Sequence, residues 1–348
     1  MRVSHVGVVM VAGVLVVGLA GCGQQEAQAA RVAGDKKLTI YSGRSESLVK
    51  PLLTRFEKAS GIKVEVRYAD TAQLAAQLTE EGAAKTRADV FFAQDAGALG
   101  AVTRKRLFAA LPAEVLGKVP AEFRAKDGTW VGVTGRSRVL VYNTDQVAGA
   151  DLPKSVFEVT GAKWRGRIGV APTNGSFQAF VTAIRVTHGD ARAAEFLKSL
   201  KANDARIFPN NVTIVEEVNE GRLAAGLVNH YYVFEKAKEK GTTVEGLKAR
   251  LHFFRGGDTG ALVNAAGVGV LAHSANDPDT RAFVDYLLGT EAQTYFGQQV
   301  FEYPLVAGVP LAAGLPAIAD LDPPKIDLND LDTLQQTIKL IKESGLAP

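Results

Sequence analysis

The stretch Val131-Gly132-Val133-Thr134-Gly135-Arg136-Ser137-Arg138-Val139-Leu140-Val141-Tyr142-Asn143-Thr144 reads as one extended run. It is too long for an ordinary interior strand, which usually has about five or six residues. A strand that leaves one sheet and enters another explains the length. With period-two alternation, Arg136, Arg138, Leu140 and Tyr142 share one side, so two cations and a phenol line one face.

Upstream, the chain repeats a strand-helix rhythm. Residues 38–41 read as a strand, the apolar positions Leu48, Leu52, Leu53 and Phe56 as a helix closed by Gly61, and 62–66 as the next strand. Leu74 and Leu78 mark a second helix ending near Gly82, 88–92 a buried strand, and 96–102 a small-residue helix. Repeated βα units argue for a mainly parallel sheet with helices on both faces. Polar residues sit just past each strand: Arg44, Ser45 and Glu46 after the first, Gln94 and Asp95 after the third. Helix-terminal N–H groups make such loops plausible anion contacts, although Ser45 is equally a simple helix cap.

Downstream, 164–172 reads as a turn and strand that runs into Thr173-Asn174-Gly175-Ser176, a cluster able to cradle an anion at the start of a helix and equally an ordinary N-cap. Helices are expected at 176–188 and 191–200, and another starts at Asn210-Asn211. The apolar run 224–228 then ends in Asn229-His230-Tyr231-Tyr232, followed by a charged helix to Gly241. Two phenols therefore stand at a strand-to-helix junction, where open α/β sheets bind ligands; as phenolates they would make a hard oxygen site for a highly charged cation. The alternative is one Tyr in the core and one on the surface. Strands are expected at 252–254, 261–271 and 301–306, helices at 277–288, 291–299 and 331–344, and a Pro-rich surface excursion at 310–324.

The N-terminal residues read as a targeting device. Arg2 precedes an apolar segment at 6–20, shorter than a membrane span, ending Leu19-Ala20-Gly21-Cys22. This pattern resembles a bacterial lipoprotein signal, with Cys22 the acylated residue and 22–36 a flexible tether. Cys22 is the only cysteine, which excludes an intramolecular disulfide. Forty basic residues against 37 acidic ones, interspersed, give a net charge of +3, which does not suggest nucleic acid.

Eight short motifs in order carry a resemblance: Tyr41-Ser42-Gly43-Arg44, Gly61-Ile62-Lys63-Val64, Ala88-Asp89-Val90-Phe91, Gly135-Arg136-Ser137-Arg138, Trp164-Arg165-Gly166, Asn229-His230-Tyr231-Tyr232, Asp258-Thr259-Gly260-Ala261 and Glu302-Tyr303-Pro304-Leu305. Together they resemble the ferric-iron substrate-binding proteins of bacterial ABC transporters. The resemblance implies an α/β, two-lobed type II periplasmic-binding-protein fold with two crossover strands and a central cleft. The expected lobes are 37–138 with 262–312 and 139–261 with 313–348, after a signal peptide at 1–21. It implies Fe(III) as cargo on Tyr231 and Tyr232, with Tyr142 as a third phenolate, so that three phenolates offset the metal's charge.

The sequence departs from the family's pattern where Ser45 and Gln94 replace the histidine and glutamate ligands of other members. The expected remedy is carbonate or bicarbonate as synergistic anion, held by Arg44 and Arg136 with Ser45, Asn174, Gly175 and Ser176. Glu46, Gln94, Asp95, Asn211 and Asn229 are further cleft candidates. The partners implied are an ABC permease and its ATPase, and the membrane through the lipid anchor of an extracytoplasmic monomer. No Gly-x-Ser-x-Gly elbow or His-Glu-x-x-His helix is present, so an enzyme is not expected. The rival is the same fold binding thiamine, a polyamine or a phosphonate.

Overall fold

The structure, a computed structural model, describes residues 34–347. The apolar segment 6–20, Cys22 and nearly all of the tether lie outside the described residues. The opening comprises β1 (Lys37–Ser42), α1 (Glu46–Ser60), β2 (Lys63–Tyr68), α2 (Thr71–Lys85), β3 (Val90–Ala93), α3 (Ala96–Arg104) and the short α4 (Ala113–Leu116). Then come β4 (Trp130–Asn143), β5 (Ile168–Val170), α5 (Gly175–His188), α6 (Asp190–Ala202), β6 (Arg206–Ile207), α7 (Asn211–Asn219), β7 (Ala225–Asn229), α8 (Tyr231–Glu239) and β8 (Ala249–His252). The chain finishes with β9 (Val263–Val270), α9 (Pro278–Leu287), α10 (Thr290–Tyr295), β10 (Tyr303–Pro304), α11 (Ile318–Leu321) and α12 (Leu334–Glu343).

The long run is a single strand shared between two sheet halves. From Trp130 to Ser137, β4 pairs antiparallel with β9, with β10 alongside; from Arg138 to Asn143 it pairs with β7 and β8. Strand order β2-β1-β3-β9-β4-β7-β5-β6 makes one continuous path. Around β1, β2 and β3 the pairing is parallel, and so it is around β5, β6 and β7. Two βαβ lobes therefore meet along β4, with β9 returning beside it, which is the two-lobed type II architecture. Its strands are covered on both faces, so all the residues of β9 and all but Tyr142 in β4 are buried.

Local chemistry sets the element ends. Helix α1 buries Val49, Leu52, Leu53 and Phe56 on one stripe and stops at Gly61, whose φ of 70° few other residues adopt without strain. Helix α12 is tied to α5 by Arg185, whose Nη1 donates to Thr333 O at 3.1 Å and to Thr337 Oγ1 at 3.0 Å. The C-terminal segment thus fixes the helix whose first turn faces the cleft.

Three expectations need correction. The strand expected at 252–254 spans Ala249–His252, because its register is set by pairing with Leu140 to Asn143 of β4. The helix expected at 291–299 ends at Tyr295 and continues as a wider turn over Phe296–Val300, stopped by Phe301 at φ 62°. The stretch 310–324 is more than a surface excursion, since Ala312, Leu315 and Leu321 are buried and α11 lies within it.

Candidate functional site

Strand β7 ends at Asn229, and the chain turns directly into α8, with His230 N donating to Ser137 O at 3.1 Å. Tyr231 and Tyr232 form the first turn of α8. Their ring centroids are 4.1 Å apart with planes at 33°, and Tyr231 is 1% exposed. Burial, then proximity to Tyr232 and Glu302, hold the Tyr231 phenol well above its ordinary range. Burial raises Tyr232 too, against polar contact with Tyr231 and Asn211. Without cargo, both are neutral phenols packed together.

Three buried guanidinium groups surround this pair. Arg44 Nη2 meets Glu302 Oε1 at 2.6 Å, and Glu302 Oε2 accepts from Thr134 Oγ1 at 2.5 Å. Burial works most strongly against the Arg44 charge, but Glu302 and the two phenol oxygens together outweigh it and the net shift is upward. Arg136, 1% exposed, is different: none of its three nitrogens has a hydrogen-bond partner among the described residues. Burial, the dominant cause, lowers it despite Glu302 nearby. Arg138 donates from Nη2 to Leu227 O at 2.7 Å and from Nη1 to Ser176 Oγ at 3.3 Å, and burial lowers it to about 9. Arg44 Nε, Arg138 Nε and Asn264 Nδ2 are also unpartnered. Each unmet buried donor costs about 1–3 kcal/mol, so this cluster of donors wants an acceptor.

The second lobe's wall is a linked network in which Asn211 Oδ1 is left without a partner among the described residues. Ser176 Oγ donates to Asn174 Oδ1 at 2.6 Å and accepts from Asn211 Nδ2 at 3.1 Å and from Arg138. Opposite, Asp95 caps α3 by accepting from Ala98 N at 2.9 Å. Its other oxygen abuts Gly175, where an added Cβ would sit 3.4 Å from it. Burial raises the Asp95 carboxyl, while the Ala98 N–H and Arg136 pull it down. The two lobes therefore touch here, with Asp95 of one against Gly175 of the other.

Of the residues singled out in the sequence, the structure brings together Tyr231, Tyr232, Arg44, Arg136, Asp95, Asn174, Gly175, Ser176, Asn211 and Asn229. It does not bring Tyr142, Ser45 or Glu46. Arg138 stands opposite Asn229 in register, whereas Tyr142 stands opposite Ala225, at the other end of β7. Four residues of strand put Tyr142 roughly 13 Å along the sheet from Arg138. The alternation argument placed it on the right face and the wrong end. Ser45 is exposed and makes no side-chain cap bond. Glu46 pairs at the surface with Lys50 at 2.8 Å. Gln94 is only half-buried, and its backbone N–H donates to Thr71 Oγ1 at 3.2 Å. Sequence reasoning missed Glu302, the counter-ion of Arg44, and Glu235, one turn beyond the Tyr pair. Helical spacing from Tyr231 was the available signal for the second. Among the described residues no three His, Cys, Asp or Glu side chains gather as a metal site, so phenols are the available anchor.

His230, fully buried, accepts at Nδ1 from Ser137 N at 3.1 Å and donates from Nε2 to Phe301 O at 2.8 Å. Those bonds require the neutral imidazole, and burial lowers it to about 4 against an ordinary 6.5. Between those values the unfolded chain binds a proton that the folded one refuses, so this contribution is lost as pH falls. The expected loss on acidification from pH 7 to 4 is about 3 kcal/mol of the metal-free protein's stability. Glu235, lifted to about 8, acts with the opposite sign over part of that window. The His230 share is therefore read by urea unfolding as the difference in pH slope between the parent and H230Q; equal slopes would refute it.

The comparisons agree with this architecture. The family model for bacterial extracellular solute-binding proteins matches residues 85–325. The "Fe(3+)-binding periplasmic protein" of Serratia marcescens is 34% identical over 321 residues, 92% of this chain and 93% of that one. The "Major ferric iron-binding protein" of Neisseria gonorrhoeae is 36% identical over 313 residues, 89% and 93% of the two chains. Among solved structures, iron-bound HitA from Pseudomonas aeruginosa superposes with a TM-score of 0.83 at 36% identity, covering 89% of this chain and 99% of that one. These relatives are transport-type binding proteins rather than enzymes, and the chain belongs to the bacterial extracellular solute-binding protein family, in the branch represented by the ferric-binding proteins.

Proposed function

We propose that this chain captures ferric iron on Tyr231 and Tyr232 inside the cleft, together with an exogenous anion held by Arg136, and delivers it to an ABC permease and its ATPase. The observation that carries the reading is a pair of phenols packed ring against ring, Tyr231 buried and Tyr232 half-buried, near a guanidinium whose three nitrogens lack partners among the described residues. Ferric iron prefers hard anionic oxygen and drives the protons off the phenols. Two phenolates cancel two of its three charges, Glu302 offsets Arg44 and Asp95 offsets Arg136. Arg138 and the remaining metal charge favour an anion such as carbonate or bicarbonate beside Arg136. Ser176 and Asn174 already satisfy one another, so they serve as the wall of that pocket and Asn211 and Asn229 as its rim. The likeness to the iron-binding proteins of Serratia marcescens and Neisseria gonorrhoeae supports the cargo.

The lobe division is read as 37–138 with 262–312 against 139–261 with 313–348, closing around β4 and β9. Cys22 is read as a lipid anchor holding a monomer outside the cytoplasm. The test is titration of the tagless mature protein with ferric citrate, with and without bicarbonate. A phenolate-to-iron charge-transfer band should appear at one iron per chain and vanish on chelation. Tyr142→Phe should leave band and affinity unchanged, since that side chain stands at the far end of β7. The unpartnered donors of Arg136 would also suit a phosphonate. Tight phosphonate binding without any band would favour that rival.

A further inference from the structure

Glu235 stands four residues after Tyr231 and three after Tyr232 on α8, so the three side chains rise from one face of the helix. It is partly buried, yet no hydrogen bond or ion pair joins it to any other described residue. The other glutamate of that helix behaves as an ordinary surface residue, since Glu239 pairs with Lys236 at 3.1 Å. Glu235 instead feels the site: burial first, then Glu302, push its carboxyl up, while Arg44 pulls it down. It also acts on Tyr232 in turn. Its outer side lines a cavity of about 560 Å³ that separates α8 from Ser47 and Arg55 of α1 and from Tyr295 and Gln299. A carboxyl with no partner among the described residues, on the wall of that cavity and one helical turn from the two phenols, is placed to give up its proton to a cation they hold.

We propose that Glu235 is a direct ligand of the cargo ion, completing its inner shell from the same helix as Tyr231 and Tyr232. The inference rests on the ferric reading above. Two phenolates and one carboxylate neutralise a trivalent ion, which is the balance that Tyr142 cannot supply from the far end of β7. The same trio would leave a divalent ion over-neutralised, so Glu235 also tilts the site towards trivalent cargo. All three donors are hard oxygens, as the ion requires.

The experiment compares the parent chain, E235Q and E235D, each loaded from ferric citrate in bicarbonate buffer, by affinity and by the position of the charge-transfer band. Glutamine keeps the shape and removes the charge, so E235Q should bind iron roughly a hundredfold more weakly. Its band should move to longer wavelength, because a poorer donor leaves the iron more electron-demanding. E235D should recover part of both, and thermal unfolding of the metal-free variants should match the parent. If the parent loads iron and E235Q matches it in affinity and band, Glu235 is no ligand while the ferric reading stands. Weaker binding with an unmoved band would show charge acting through space and would overturn ligation as well. A parent that neither loads iron nor shows a band would sink both readings together.

Discussion

Tyr231→Phe and Tyr232→Phe should each weaken ferric iron binding by roughly 100- to 1000-fold, and the double variant should not load at all. The size follows from metal sites in which about 10–16 kcal/mol is shared among four ligands, or about 2.5–4 kcal/mol for each. Phenylalanine keeps the ring packing at 4.1 Å and removes only the oxygen, so melting of the metal-free protein should change little. Because burial holds both phenols neutral, loading must expel two protons, and affinity should rise with pH. Above about pH 8, where Glu235 is already ionised, the logarithm of the binding constant should climb by about two per pH unit in the parent and by about one in a single variant. Competition against citrate over a series of pH values, corrected for citrate's own protons, measures both quantities. A single variant that retains the parent's slope of two would show that the missing hydroxyl was never a ligand.

Why the phenols were legible in the sequence and Glu302 was not is a matter of what fixes each position. Tyr231 and Tyr232 sit at a strand end, and a strand end is readable because an apolar run stops and a charged helix starts. The length of β4 was readable for a similar reason: no single sheet accommodates fourteen extended residues comfortably. Period-two alternation also gave the correct face for Arg136, Arg138 and Tyr142. It could not say how far along β7 each would stand, because register is set by pairing with Asn229 and Ala225, more than eighty positions away. Ser45 and Glu46 failed differently: the loop begins at the cleft with buried Arg44, but α1 turns its first residues to solvent, where Glu46 finds Lys50. Glu302 was hidden because its partner Arg44 lies 258 residues away, a pairing that only the returning strand β10 creates.

Arg136→Met should make the metal-free protein more stable and a poorer iron binder. A buried guanidinium is tolerated when its donors are met, and those of Arg136 have no partner among the described residues. Against that cost stand its attraction to Glu302 and Asp95, while Arg44 repels it; burial is the largest of these effects. Replacing a whole buried ion pair by apolar groups can raise stability by about 1–4 kcal/mol; because no carboxylate is hydrogen-bonded to Arg136 among the described residues, its removal strips none of a bond, and methionine is flexible enough to fill the vacated space. The expected outcome is therefore a higher urea midpoint for the metal-free variant by an amount in that range. Iron loading should then lose its response to bicarbonate, because the unmet donors that recruit the anion are gone. Stability and cargo binding would move in opposite directions, as expected of a strained group kept for function. A variant less stable than the parent would mean that water or neighbouring carboxylates already satisfy Arg136, and that the anion is held elsewhere in the cleft.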